Sequence, residues 1–318
     1  MKRKREEEYL PIYFAKRLIE NPDAPYFNDV LECDQYYQNL DSLDLGKYDA
    51  KEVERVQLSR TAFITADWLR YKQAYRITPE LAQDLFQMDD LSFPSGVLNM
   101  PFRTVYLDLE ELKIPATGDG SEQNTILSGI LFTYGNVNAG GVSTGFCGFI
   151  TLIRVPGKQH CQFGGISFPL NEECDGKDLS YLINENTEGF LEIRPFLKMA
   201  LLFAAYLSSE KPDITENEKQ KQFYRPSTKV KTSAVRKWDV GIRYTKELQK
   251  SRSISALPES TQHDGKSPRP HIRKAHWHIY RIGKGRKETK VLWLPPIEVG
   301  CNKHNTCELP TVVRSISN

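Results

Sequence analysis

The sequence predicts an α+β protein with a helical N-terminal region, an antiparallel sheet core with packed helices, and a C-terminal β-hairpin. Three observations predict it. Apolar residues recur at helical spacing through the first ninety or so residues. Runs rich in β-branched and aromatic residues then occupy most of 103–170, broken by glycine. Near the C-terminus two strand-like runs flank the turn sequence GKGRKE and end at Pro295-Pro296.

The elements follow in order. Segment 7–20 carries Tyr9, Leu10, Tyr13, Phe14 and Leu18 on one helical face, and 51–75 carries a longer amphipathic pattern through Phe63, Trp68 and Tyr71. Thr78-Pro79-Glu80 reads as a helix start, with threonine as N-cap and proline in the first turn. From Pro94 the character changes. RTVYLDL at 103–109 alternates as a half-buried strand does, and TILSGILFTY at 125–134 pairs naturally with FCGFITLIRV at 146–155. The connector GNVNAGGVSTG reads as a hairpin loop, with Gly135, Gly140, Gly141 and Gly145 as turn residues. No Lys-Ser/Thr follows these glycines and no helix opens there, so they match neither a P-loop nor a dinucleotide fingerprint. QFGGISFPL at 162–170 is a further strand, and 190–210 holds a strongly apolar helix. WDVGIRYTKELQK at 238–250 reads as a helix with Asp239 as a candidate cap. The implied organisation is a mainly helical region at 1–93, an α+β core at 94–250, a Ser/Pro-rich linker at 251–268, a basic His-rich hairpin at 269–300 that completes the sheet, and a tail at 301–318.

The bulk properties bound the function. The chain has 318 residues, 39% of them hydrophobic, enough for a sizeable core. The net charge is only +2, so affinity for nucleic acid must come from a local patch. Six cysteines without a CxxC pair suit free thiols better than a disulfide framework. Cys301, His304 and Cys307 are spaced as a weak metal candidate in the tail. The charged N-terminus lacks an apolar signal region, and the longest apolar run, at 199–207, is too short for a bilayer. The expectation is a soluble, cytoplasmic protein with no membrane contact.

The patch lies in PHIRKAHWHIY, residues 270–280. Three of the six histidines, His271, His276 and His278, fall within it. Between Arg269 and Lys290 eight Lys or Arg residues face a single acid, Glu288. On a strand, His276, His278 and Tyr280 share one face, and Trp277 takes the other. Three chemistries compete. HxH can hold a metal, although Arg273 and Lys274 would repel a cation. Basic groups interleaved with aromatics suit RNA or single strands, with His271, Arg273, Lys274, His276, His278, Tyr280 and Arg281 as candidate contacts. A histidine beside a cation can also cleave phosphodiesters, which makes His276 and His278 candidate catalytic groups. The plain alternative is packing, with Trp277 and Trp293 as structural residues and the cations on a solvated face. No cofactor and no bound metal are expected.

RPHIRKAHWHIYRIGKGRKETKVLWLPPIEV resembles a C-terminal signature of mobile-element proteins, Pro-His-x-Arg-Arg-x-His-Trp-His-x-Tyr-Trp-x-Gly followed by a Trp-x-Pro-Pro-like end. That signature belongs to the type V-A anti-CRISPR family that lowers levels of the Cas12a effector nuclease. MPFRTVYLDL, LLFAAYLSSEKPDI and WDVGIRYTKELQK resemble family segments in the same order, whereas the N-terminal helices are only loosely similar. Lys274 stands where the family has Arg, and Arg281 where it has Trp, which removes a bidentate fork and a stacking ring. The resemblance implies an inhibitor of effector production that acts in the bacterial cytoplasm. Its partner would be the N-terminal segment of the nascent effector polypeptide, with mRNA or the ribosome nearby, and the encoding mRNA would be lost. An intrinsic, metal-independent ribonuclease is the competing enzyme reading.

Overall fold

The computed structural model describes residues 9–24, 49–88, 91–92, 94–114, 126–139, 142–154, 161–170, 177–187, 191–217, 235–255, 271–273 and 275–299. Its helices are α1 (Leu10–Ile19), α2 (Ala50–Tyr71), α3 (Pro79–Phe86), α4 (Leu179–Thr187), α5 (Arg194–Ser208) and α6 (Ile242–Ser255). The main sheet is built from β1 (Gln73–Ile77), β2 (Thr104–Asp108), β3 (Ile126–Ala139), β4 (Val142–Arg154), β5 (Cys161–Leu170), β6 (Ile214–Glu216) and β7 (Arg236–Val240). The C-terminal segment adds β8 (His271–Arg273), β9 (His276–Ile282), β10 (Glu288–Leu294) and β11 (Ile297–Val299).

The seven strands lie in the order β5-β4-β3-β2-β1-β7-β6. Pairing is antiparallel from β2 through β5 and between β6 and β7. β1 pairs parallel with both β2 and β7, so the α+β sheet is mixed. The parallel centre follows from chain length, because β1 reaches β2 only through a crossover that includes α3.

α2 explains why β1 was not legible. Asp49 caps it through a capping box with Glu52, and Asp49 Oδ1 accepts from the Lys51 and Glu52 N–H groups at 2.9 Å. The helix stops where Lys72 turns left-handed (φ 47°), and its N–H donates to Trp68 O. The amphipathic pattern read as continuous helix to residue 75 therefore ends at Tyr71, and QAYRI enters the sheet.

Helices cover both faces. On one, Tyr75, Val105, Leu107, Phe132 and Phe149 pack under α3, α4, α5 and α6. α5 is apolar nearly all round, and every residue from Met199 to Leu207 is buried. On the other face Ala74, Tyr106, Leu131, Phe146 and Ile150 meet Leu10, Phe14, Phe63, Ile64 and Trp68 of α1 and α2. This second cover buries Thr104–Leu107 completely, where alternation alone suggested a half-buried strand.

Three local expectations are corrected. Gly135 and Gly145 lie inside β3 and β4, which pair as far as Ala139 and Val142; Gly140 and Gly141 are outside the described residues. Asp239 is not a cap but a residue of β7. α6 is capped instead by Asp213, which accepts from the Arg243 N–H and, at 3.0 Å, from the Tyr244 N–H. Thr78 stands at the start of α3 as expected, yet its hydroxyl donates to Gly241 O rather than to the helix. α6 runs to Ser255, and residues 256–270 and the 301–318 tail lie outside the described residues.

Candidate functional site: the C-terminal hairpin

β9 and β10 pair in register from His276↔Leu294 to Ile282↔Glu288. The tip is closed by Gly283 (φ 77°) and Gly285 (φ 74°), conformations that glycine reaches without strain. The hairpin does not join the seven-stranded sheet as expected but forms its own two-stranded sheet. Its ladder ends at Leu294, just before Pro295 and Pro296 as expected, since proline lacks an N–H to donate, and a separate two-stranded sheet pairs Ile297↔Arg273 to Val299↔His271.

One face is anchored. Trp277 and Trp293 are cross-strand partners with ring centroids 4.8 Å apart at 64°. Trp293, Val291 and Ala275 are buried in the main core, and Trp277 packs against it. The Glu210 N–H just after α5 donates to Val291 O at 3.2 Å. Lys290 Nζ also reaches Glu210 Oε1 at 3.0 Å, an exposed pair of small energetic weight. The anchoring is therefore mainly apolar.

The pleat puts His276, His278 and Tyr280 on the opposite face. His276 is half-buried beside Leu294, and His278 is exposed opposite Leu292. The His278 and Tyr280 rings meet edge to face at 4.3 Å. Tyr280 faces Lys290 across the ladder. Beyond them Arg281, Lys284, Arg286 and Lys287 are all exposed around the tip. Arg273 is exposed on β8. His271 is placed in β8 by its backbone alone, and Lys274 lies outside the described residues. The structure thus collects an imidazole–phenol face next to a cationic tip on one anchored element. Among the described residues no group of three or more His, Cys, Asp or Glu is placed to hold a metal ion, and the Cys301–Cys307 candidate lies outside them.

Residues 75–300 match the AcrVA2-like family, described as the anti-CRISPR type V subtype A2 family. The chain belongs to this anti-CRISPR family. The matched range opens in β1 and closes just after β11, so it takes in the sheet and the whole hairpin. A curated relative, Protein FinQ of Escherichia coli, is 23% identical over 287 residues, covering 78% of each chain. The crystal structure of AcrVA2 shares the fold at a TM-score of 0.51 with 20% identity, covering 91% of this chain and 92% of that one. Among the described residues no helix is long and apolar enough to cross a membrane.

Two charged constellations escaped the sequence reading. Asp67 on α2 is buried and accepts from Arg103 Nε (3.1 Å) and Nη2, from Arg70 Nη1 (3.4 Å) and from the Thr104 hydroxyl. In the second, Asp108, Arg76 and Asp239 lie side by side across β2, β1 and β7. Arg76 donates to Asp239 Oδ1 from Nε (2.9 Å) and Nη2 (2.7 Å), and the Tyr9 hydroxyl donates to Asp108 Oδ2 at 2.9 Å. Burial pushes the Asp108 carboxyl up, partly offset by the Tyr9 and Glu110 hydrogen bonds and by Lys237 and Arg76. Burial, and then the Asp108 charge, push the Tyr9 phenol well up. Lys237, whose ammonium sits 3.8 Å from the Tyr9 ring centroid, is pushed down by burial. Apart from Arg70 and Glu110, which are close in sequence to the carboxylates they meet, the hydrogen-bonding partners are separated by 36 to 163 residues, and no local pattern announces them.

Proposed function

We propose that this protein lowers production of a type V-A CRISPR effector nuclease by recognising the N-terminal part of its nascent polypeptide and promoting loss of the encoding mRNA. Membership of the anti-CRISPR family supports the target class. The observation that carries the RNA-related part is the hairpin, where His278 is exposed and His276 and Tyr280 are half-buried on the same face, beside four exposed cations. Imidazole and phenol rings stack on unpaired bases, and the tip cations neutralise phosphates, a pairing suited to single-stranded RNA or ribosomal RNA near the emerging chain. The Trp277–Trp293 anchor keeps that face rigid without contributing to contact.

The test is co-expression with a type V-A effector in a bacterial host, following effector mRNA and protein. Wild type should deplete both, and His276→Ala and Arg273→Ala should lose the depletion while folding normally. Retention of full activity by both variants removes the hairpin from the mechanism. The second reading rests on His276 and His278 being two residues apart on one face, where one could take a proton and the other give one. Purified protein that cuts RNA with a bell-shaped pH profile would establish that reading instead.

A further inference from the structure

We infer that the outer edge of β5, together with the cleft between β5 and α2, is a docking surface for an extended polypeptide that adds to the sheet as one more strand. This rests on the reading that the chain recognises an unfolded nascent segment, and it assigns that recognition to a surface that none of the hairpin histidines lines.

Among the described residues β5 is terminal in the sheet and ladders only with β4. At ten residues it is a long edge, where natural proteins usually shorten or block the edge. Among the described residues no backbone group pairs with its outer side. Pro169 lies near its end, a residue that sheets accept at their edges. Alternate residues of 161–168 therefore turn outward N–H and C=O groups that pair with no backbone group among the described residues.

Beside this row runs a cleft of about 840 Å³, lined by Asp23 after α1, by Arg55, Gln57 and Leu58 of α2, and by Gly164 and Gly165 of β5. The two glycines are exposed and leave the backbone bare. A Cβ at Gly165 would lie 2.0 Å from Phe149 O, so no side chain can cover the strand there. At Gly164 the Thr151 hydroxyl donates to the carbonyl at 2.9 Å from within the sheet. Consecutive glycines on an open edge mark a place where another backbone approaches closely.

The occupant follows from this chemistry. A ladder edge recognises alternating backbone donors and acceptors, which nucleic acids and lipid surfaces lack. A folded partner has already paired its own backbone groups, whereas a chain leaving the ribosome has not. Alternate side chains of the added strand would enter the cleft, where Leu58 offers apolar contact and Arg55 and Asp23 offer charges of both signs. The pairing edge lies inside the family-matched range and the α2 wall outside it. Backbone capture is thereby assigned to the shared part, and discrimination among targets to the wall.

The experiment uses the full chain and a synthetic peptide of the effector's N-terminal segment, with fluorescence anisotropy and amide hydrogen exchange by mass spectrometry. The peptide should bind and slow exchange in 161–168. Gln57→Trp, which fills the cleft, and Arg55→Glu, at an exposed helix position, should each weaken binding by about tenfold or more at unchanged Tm. If the peptide binds but protects another segment, and both variants bind as wild type does, the β5 surface is wrong while nascent-chain recognition stands. If no such peptide binds, the recognition reading fails and this inference falls with it.

Discussion

Replacing Asp67 with alanine should destabilise the protein by about 3–5 kcal/mol, the usual loss when one partner of a buried ion pair is removed. The Asp67 side chain is 1% exposed and the Arg103 side chain 16%. Arg103 also donates from Nη1 to Asn136 O at 3.1 Å and lies over the Phe63 and Phe146 rings at 5.6 and 5.9 Å. It cannot swing into water without giving up those contacts, so deletion of the carboxylate leaves a guanidinium short of its counter-charge in a poorly solvated site. At ~2–4 °C per kcal/mol for a domain of this class, Tm should fall by roughly 6–20 °C. Chemical denaturation of wild type, Asp67→Ala, Arg103→Leu and the double variant measures it. The double variant should lose less than the sum of the singles, because the second change removes the charge that the first one stranded. A loss below about 1 kcal/mol for Asp67→Ala, or strict additivity, would refute the claim that this pair joins α2 to the sheet.

Three further outcomes are expected. Trp293→Ala should cost about 3–5 kcal/mol and make the hairpin sensitive to protease before the rest unfolds, whereas His278→Ala, at an exposed position, should stay within ~0.5 kcal/mol of wild type; equal effects would contradict the two-faced hairpin. Asp108 carries an upward-shifted carboxyl, so its contribution is most favourable below the ordinary carboxylate range and is lost as pH rises through the folded pKa. Asp108→Asn should therefore gain stability relative to wild type between pH 4 and pH 7, measured by denaturant titration at both; a gap that stays constant or moves the other way refutes the burial argument. Gly241→Ala should destabilise by more than about 1 kcal/mol, because φ is +89° and the new Cβ would lie 2.5 Å from the Thr78 hydroxyl; thermal melting within 1 °C of wild type would contradict it.

Legibility tracked the range over which a signal acts. Periodicity found α1, the Thr78-Pro79-Glu80 start found α3, a strongly apolar run found α5, and the β-branched runs found β3 and β4, since each of those signals is complete within one element. The pleat alone was enough to place His276, His278 and Tyr280 on one face of β9. Three features depended on partners far along the chain and were lost. β1 reads as the end of a helix because its only break is the left-handed Lys72, a residue with no strong preference for that conformation. The cap of α6 comes from Asp213, thirty residues before the Arg243 amide that it holds, so the nearer Asp239 was the natural local choice. The alternation of β9 and β10 shows which residues share a face but not which sheet receives them, and the hairpin packs on α5 and the 95–97 turn instead of extending the main sheet.

That packing choice bears on how the two proposed recognition surfaces can share one chain. Had the hairpin completed the sheet at β5, it would have consumed the edge at 161–168. Docked through Trp293 and Val291 on the α5 side, it pairs with no described residue of that edge and keeps His278 exposed. The two proposed surfaces share no described residue, so variants in one should leave binding at the other intact. A peptide-binding defect from Gln57→Trp with normal RNA-related behaviour, and the converse for His276→Ala, is the pattern this arrangement requires. Loss of both activities in either variant would mean that one surface does both jobs.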